Sequence, residues 1–183
     1  MGYFAFLRLN RTAICGVLRC RIKSMKDDIQ CCAGSSLSKE DCEACIVLIK
    51  QGGAVDLKSE ELPHAEIVAI KRDGQAIVGV GAIKRCRPDY ARTIAARSQF
   101  KFDPRSYELG YIVVKKSHPR QGQPLSPAIV AALLSKFAKR PLFATTSHER
   151  IKQTLRQAGF VPQGEVWRGM SGELSLWIKD GES

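Results

Sequence analysis

The chain has 183 residues, which is enough for one domain with a hydrophobic core and short for two. Its composition, 44% hydrophobic and 26% charged, is typical of a globular protein, and no apolar run approaches the roughly 20 residues that cross a bilayer. The formal net charge of +11 fits an anionic small ligand as well as RNA, so charge alone does not assign a nucleic-acid partner.

The first 24 residues differ in character from the rest of the chain. They contain five basic residues and no acid, which leaves a net charge of +6 for the remainder. A targeting peptide is one interpretation, but Arg8 and Arg11 interrupt its apolar region and no small-residue cleavage site follows. We expect residues 1–24 to be an extension outside the fold, either disordered or not translated, with Met25 as the working start. Residues 25–183 are then a single domain.

Two interpretations are open for the cysteines. Cys31, Cys32, Cys42 and Cys45 are a metal or redox site, or they are reduced thiols that pack as small hydrophobic side chains. The three histidines lie far from them in sequence and lack the spacing of zinc ligands. We therefore expect no metal. The odd total of seven cysteines, without a signal peptide, indicates a cytoplasmic protein.

The first half of the domain predicts a strand, a helix and a hairpin. The strand is DDIQCCAG (27–34), and a helix follows with Ser38 as its N-cap and Gly52-Gly53 as its end. Two runs rich in Val and Ile within 65–85 flank Asp73-Gly74, a pair that suits a tight turn. The connection 86–106 is long enough to be functional and contains a short helix, beginning after Pro88 and ending before Phe100.

The second half alternates strands and helices. ELGYIVV (108–114) reads as a strand buried on both faces, and a turn and a helix to about Lys139 follow it. LFATTS (142–147) is a strand, 148–160 is a helix that ends at Gly159, and 164–169 pairs with 172–180. This order predicts an α/β domain with a mixed, mostly antiparallel sheet flanked by helices.

The stretch HPRQGQPLSPAIVAALL (118–134) combines a turn with the third of these helices. The turn is polar and contains a glycine between two prolines. A strand–turn–helix junction of this kind offers unpaired N–H groups and positive potential to a phosphate, and Gly122 permits backbone conformations closed to other residues. As an alternative, the segment is a plain connection punctuated by Pro and Gly.

The element order, this junction and the later strand and helix ending in Gly159-Phe160 resemble the GNAT superfamily of acyl-CoA-dependent N-acyltransferases. The resemblance covers about residues 27–180. It implies an acetyl-CoA co-substrate and a primary amine acceptor. This sequence departs from the family in its pyrophosphate loop, which is longer than usual and degenerate. Pro119 precedes the loop, and Pro124 has no amide N–H to donate within it. Pro124 costs little if it occupies the first helical position.

The resemblance also implies roles for individual residues. Glu108 is the expected general base, and the main chain of the strand before the turn binds the pantetheine. The helix-start Asn of the family falls on His148, which then contacts pantetheine or donates a proton. The family's proton-donating Tyr falls on Leu155, so the standard general acid is missing. The cofactor-binding residues are, in full, Ile112, Val114, Arg120, Gln121, Gly122, Gln123, Leu125, Ser126 and His148.

Two alternatives stay open for Glu108 and its neighbours. Glu108 is either the base or a solvated carboxylate at the strand end near Arg105. Strict alternation along the strand places Tyr107 and Tyr111 on one face, opposite Glu108.

The acceptor is not readable from the sequence. The basic excess of residues 85–105 favours anionic acceptors or aminoacyl-tRNA, or else it is a solvated surface. A non-enzymatic acyl-CoA-binding module and an RNA-binding protein remain competing functions, although no RNA-binding motif supports the second.

Overall fold

A single mixed sheet runs through the computed structural model, which describes residues 29–53, 61–103, 105–116, 124–137, 140–169 and 172–181. The strands are β1 (Ile29–Cys32), β2 (Ile67–Asp73), β3 (Ala76–Arg85), β4 (Tyr107–Val114), β5 (Leu142–Thr146), β6 (Val161–Gly169) and β7 (Gly172–Lys179). The helices are α1 (Lys39–Gln51), α2 (Pro88–Ser98), α3 (Leu125–Lys136) and α4 (Glu149–Gln157). The proposed extension 1–24 lies outside the described residues.

The seven strands follow the order β1-β2-β3-β4-β5-β7-β6, and every neighbouring pair is antiparallel except the parallel pair β4–β5. The predicted mixed sheet with flanking helices is confirmed. Its central strand, β4, is followed directly by α3, so the predicted strand–turn–helix junction lies in the middle of the molecule. Within the described residues, no helix is long and apolar enough to span a membrane.

Local sequence signals explain most element boundaries. The Asp41 N–H donates to Ser38 Oγ over 3.1 Å at the start of α1, as the capping pattern predicts. The β2–β3 turn has Gly74 at φ +58°, where a side chain is strained. The short helix α2 begins at Pro88, one residue earlier than predicted, and ends before Phe100 as predicted.

Two boundaries differ from the prediction by three residues. The helix α3 ends at Lys136 instead of about Lys139. The strand β6 begins at Val161 instead of residue 164, because Gly164 (φ +67°) forms a bulge inside the strand and does not start it.

The helices cover opposite faces of the sheet. On one face, α3 and α4 pack against a core that includes Leu109 of β4 and Trp177 of β7. On the other face, α1 packs over the first half of the sheet, and α2 packs through Ile94 against Phe143 of β5. The prediction that β4 is buried on both faces holds only in part, because its last three residues, Ile112 to Val114, pack against the two cores but are only partly buried.

Candidate functional site

The strands β4 and β5 pair over two positions and then separate. Tyr107 lies opposite Leu142 and Glu108 opposite Phe143, while β4 continues to Val114 without further partners on β5. The Lys115 N–H donates to the Val78 carbonyl over 2.8 Å, so the N–H and C=O of Val114 point away from β3. The carboxyl half of β4 therefore presents main-chain donors and acceptors to an open gap.

A β-bulge accompanies this separation. The register between β3 and β4 shifts between Val80 and Ala82, so that Tyr111 and Ile112 stand opposite Gly81. Tyr111 has φ +56°, in the left-handed region that a non-glycine residue rarely occupies. Because the bulge inserts one residue, Tyr111 lies on the face of Glu108. The expectation that Tyr111 shares the face of Tyr107 is wrong.

The amino end of α3 faces the same end of β4. Pro124 is the N-cap and Leu125 the first helical residue, so Pro124 lies one position earlier than the favourable one considered from sequence. The N–H groups of Leu125 and Ser126 lie in the first turn, where they have no partner within the helix, but Pro124 and Pro127 have no N–H to offer. The turn has no acidic residue and no side-chain cap.

Most of the predicted loop lies outside the described residues. The residues Arg120, Gln121, Gly122 and Gln123 lie outside the described part of the chain. Of the nine predicted cofactor-binding residues, Ile112 and Val114 lie at the gap, and Leu125 and Ser126 lie at the start of α3. Sequence reasoning missed Pro127, which removes a second amide donor.

Glu108 is part of a buried polar cluster. Its Oε2 lies 3.2 Å from Nζ of Lys84, its direct partner across the β3–β4 ladder. Lys84 Nζ also donates to the Tyr111 hydroxyl over 3.0 Å, and that hydroxyl donates to Glu61 Oε2 over 2.8 Å. Arg87 donates to Glu61 Oε1 over 3.2 Å. Lys84 thus contacts the predicted base directly, and Tyr111 and Glu61 extend the cluster from Lys84 to the exposed Arg87.

Burial and charge have opposing effects on this cluster. Burial raises the pKa of Glu108, and the Lys84 ammonium opposes that rise through its charge and its hydrogen bond. Burial and the hydrogen bond to Glu61 raise the pKa of Tyr111, so its hydroxyl stays protonated. Glu108 is therefore not the solvated strand-end carboxylate considered from sequence. Arg105 bonds to Asp103 instead, over 3.1 Å.

A pair of hydroxyls lies on the β5 side of the gap. The Tyr90 hydroxyl of α2 is 3.1 Å from Thr145 Oγ1, and Thr145 lies on the same face of β5 as Phe143. Burial, with a smaller contribution from Glu108, raises the pKa of Tyr90 to about 12. Burial likewise raises the pKa of the nearby Cys86 thiol to about 11, which makes it a poor nucleophile.

The two family positions on α4 are held by a leucine and a histidine, Leu155 and His148. Leu155 of α4 is fully buried in the core on which α3 and α4 pack, so it does not reach solvent. A leucine side chain has no proton to donate. His148 is the exposed N-cap of α4, where its main-chain N–H donates to Thr146 Oγ1 over 3.1 Å and its side chain makes no capping bond. Both roles considered for His148, contact with pantetheine and donation of a proton, remain predictions.

The basic segment between β3 and β4 is partly neutralised. Arg85 pairs with Glu66 over 2.7 Å, and Arg87 and Arg105 make the pairs already described. Half of the six basic side chains of residues 85–105 therefore have carboxylate partners, which weakens the expected preference for anionic acceptors.

The cysteines behave as packed thiols where the structure describes them. Cys45 is fully buried, and burial raises its pKa to about 12. Among the described residues, no group of three or more His, Cys, Asp or Glu side chains is arranged to hold a metal ion.

Comparison with solved structures identifies the fold. Neither a family model nor a curated protein matches the chain. Escherichia coli ElaA superposes with a TM-score of 0.64 at 14% identity, over 83% of this chain and 98% of that one. A GNAT-family acetyltransferase from Streptococcus agalactiae gives a TM-score of 0.60 at 15% identity, over 85% and 96%. Arabidopsis thaliana NAA60 in complex with a bisubstrate analogue gives a TM-score of 0.57 at 12% identity, over 82% and 97%. The chain has the fold of the GNAT acyl-CoA N-acyltransferases.

Proposed function

We propose that the protein is an acyl-CoA-dependent N-acyltransferase that transfers an acetyl group from acetyl-CoA to a primary amine. One observation carries the proposal: β4 and β5 separate directly after Glu108, and α3 begins at the same end of β4. The gap offers a peptide edge to an extended thioester arm, and the helix start offers N–H groups to a diphosphate. Fold neighbours of this chain include the acetyltransferase RimL, solved in complex with coenzyme A.

The described residues fit acetyl-CoA in type and charge. Val114 and Ile112 bind the pantetheine through the main chain, so their side-chain identity matters little. The N–H groups of Leu125 and Ser126 bind the pyrophosphate next to a helix turn that carries no carboxylate. In this proposal Arg120, Gln121, Gly122 and Gln123 complete the loop, and His148 contacts the pantetheine. Because two prolines in the region lack amides, affinity is weaker than a full set of donors would give.

Glu108 acts as the general base. An amine attacks a thioester only after losing a proton, and a buried carboxylate with a raised pKa accepts that proton more readily than an exposed one. The new C–N bond forms, the C–S bond breaks, the amine proton goes to Glu108, and the thiolate leaves. Since Leu155 donates no proton, the thiolate is protonated by solvent, at a cost on the order of 10²-fold where that transfer limits the rate.

A second candidate is an acyl-CoA-binding module with little catalytic activity. The buried Leu155 favours it, because the missing proton donor weakens catalysis without closing the gap. Transfer to aminoacyl-tRNA has less support, because half of the basic side chains of residues 85–105 are paired with carboxylates.

Thiol release by the full chain separates these functions. With acetyl-CoA and a library of primary amines, the proposal expects release of free thiol that depends on the amine. Binding of acetyl-CoA without release, across the library, supports the binding module.

We also propose a single domain over residues 25–183 and a cytoplasmic location, which fits the free cysteines of the described residues.

A further inference from the structure

The predicted base has an environment that works against its own charge. A carboxyl group buried in a protein interior prefers the neutral form, which cannot accept a proton. Glu108 is buried, and a neighbouring carboxylate, Glu61, raises the pKa of Glu108 further. A general base at this position therefore needs a nearby cation that is itself held in place. This requirement rests on the proposed function.

Lys84 is the cation in contact with Glu108. The two residues are direct partners across the β3–β4 ladder, and their charged atoms are 3.2 Å apart. The Lys84 side chain is 20% exposed, so water screens this pair less than a surface pair.

The other groups facing Glu108 are weaker in effect or neutral. Arg87 opposes the rise of its pKa less than Lys84 does. From β4, α2 and the β3–α2 connection, the neighbouring titratable groups are Tyr111, Tyr90 and Cys86, whose raised pKa values keep them uncharged.

The position of Lys84 is fixed by the bulge in β4. The bulge moves Tyr111 to the face of Glu108, where its hydroxyl accepts from Lys84 Nζ over 3.0 Å and its ring lies 4.3 Å from the same atom. Tyr111 is anchored in turn by its 2.8 Å bond to Glu61. A regular strand would place Tyr111 on the opposite face and leave Lys84 without this partner.

We propose that Lys84 is the positioning residue of this site. It holds the Glu108 carboxylate charged and in a fixed place beside the β4–β5 gap, and the Tyr111–Glu61 pair holds Lys84. Lys84 touches neither acetyl-CoA nor the amine in this proposal. It acts through Glu108 alone.

The test is a titration of the Glu108 carboxyl by ¹³C NMR in the full chain, with the resonance assigned by its loss in Glu108→Gln. In Lys84→Met the midpoint moves to higher pH, with proton affinity rising about tenfold or more. In Lys84→Arg, which keeps the charge, the midpoint stays near that of the wild type. A folded Lys84→Met with an unchanged midpoint overturns the proposal.

Two further readouts keep the test decisive. The pH profile of kcat/KM moves upward in Lys84→Met by the same amount, and the rate recovers at high pH while KM for acetyl-CoA stays constant. If Lys84→Met does not fold, Tyr111→Phe replaces it, because it removes the hydroxyl that holds Lys84. It shifts the midpoint of the Glu108 titration in the same direction by less. No shift would contradict the role of Tyr111 in holding Lys84. The NMR result stands without turnover, so failure of the proposed function is distinguishable from failure of this inference.

Discussion

Glu108→Gln removes the proposed base and little else. Glutamine has nearly the shape of glutamate, and its side-chain oxygen still accepts from Lys84 Nζ, 3.2 Å from the carboxylate in the wild type. The contacts proposed for acetyl-CoA come from the main chain of β4 and the start of α3, which this substitution does not touch. We expect kcat to fall about 10²- to 10⁴-fold, the usual contribution of general base catalysis, with KM for acetyl-CoA unchanged.

The same variant tests the burial of Glu108 through stability. Burial raises the folded-state pKa above the ordinary value of 4.5, so folding favours the protonated form. The stability that Glu108 contributes is fully present below pH 4.5 and is lost as pH rises through the folded-state value. The free energy of unfolding of the wild type, minus that of Glu108→Gln, therefore decreases as pH rises above 4.5.

Thiol release at saturating acetyl-CoA and urea unfolding at several pH values measure the two effects. Glu66→Gln is the matched control, because it removes one carboxylate from an ion pair with Arg85, outside the Glu108 cluster. It should leave turnover unchanged. A Glu108→Gln variant with wild-type kcat would refute the base, and a stability difference that increases with pH would refute the burial argument.

Three further substitutions test packing and the start of α3. Gly164→Ala costs about 2–5 kcal/mol in urea unfolding, because Gly164 has a positive φ and an added Cβ would clash with the Ser98 carbonyl. The control Gly74→Ala, also at a positive φ but with open space around it, costs about 1–2 kcal/mol. Equal costs would contradict the packing of α2 on β6. Leu155→Ala costs about 2–5 kcal/mol because its site is fully buried; a cost below about 1 kcal/mol would mean the position is open to the gap. Pro127→Ala restores an amide and should tighten acetyl-CoA binding severalfold by calorimetry; unchanged or weaker binding would show that this turn does not contact the pyrophosphate.

Local signals predicted the elements because each depends on residues close in sequence. Ser38 caps α1 through a residue three positions away, and Gly74 and Pro88 act at their own positions. The predicted strand start at Gly164 is wrong because a glycine that permits a bulge looks the same in sequence as one that begins a strand. These features fixed the order of strands and helices, and hence the fold class.

The neighbours of Glu108 could not be predicted for the opposite reason. Lys84 meets Glu108 through a register set across the connection 86–106, and no pattern in the sequence states that register. Glu61, which accepts a hydrogen bond from Tyr111, lies 50 positions earlier in the sequence. The bulge that moves Tyr111 requires a positive φ at a tyrosine, a position where sequence rules expect glycine.

Calorimetry of the full chain with acetyl-CoA tests the central claim most directly, namely that the edge of β4 and the start of α3 bind the co-substrate. We predict saturable heat with one site per chain, and similar binding of coenzyme A without its acetyl group, because the diphosphate is shared. No heat up to about 1 mM acetyl-CoA would contradict the account, because a dissociation constant at that limit corresponds to a binding free energy of only about −4 kcal/mol.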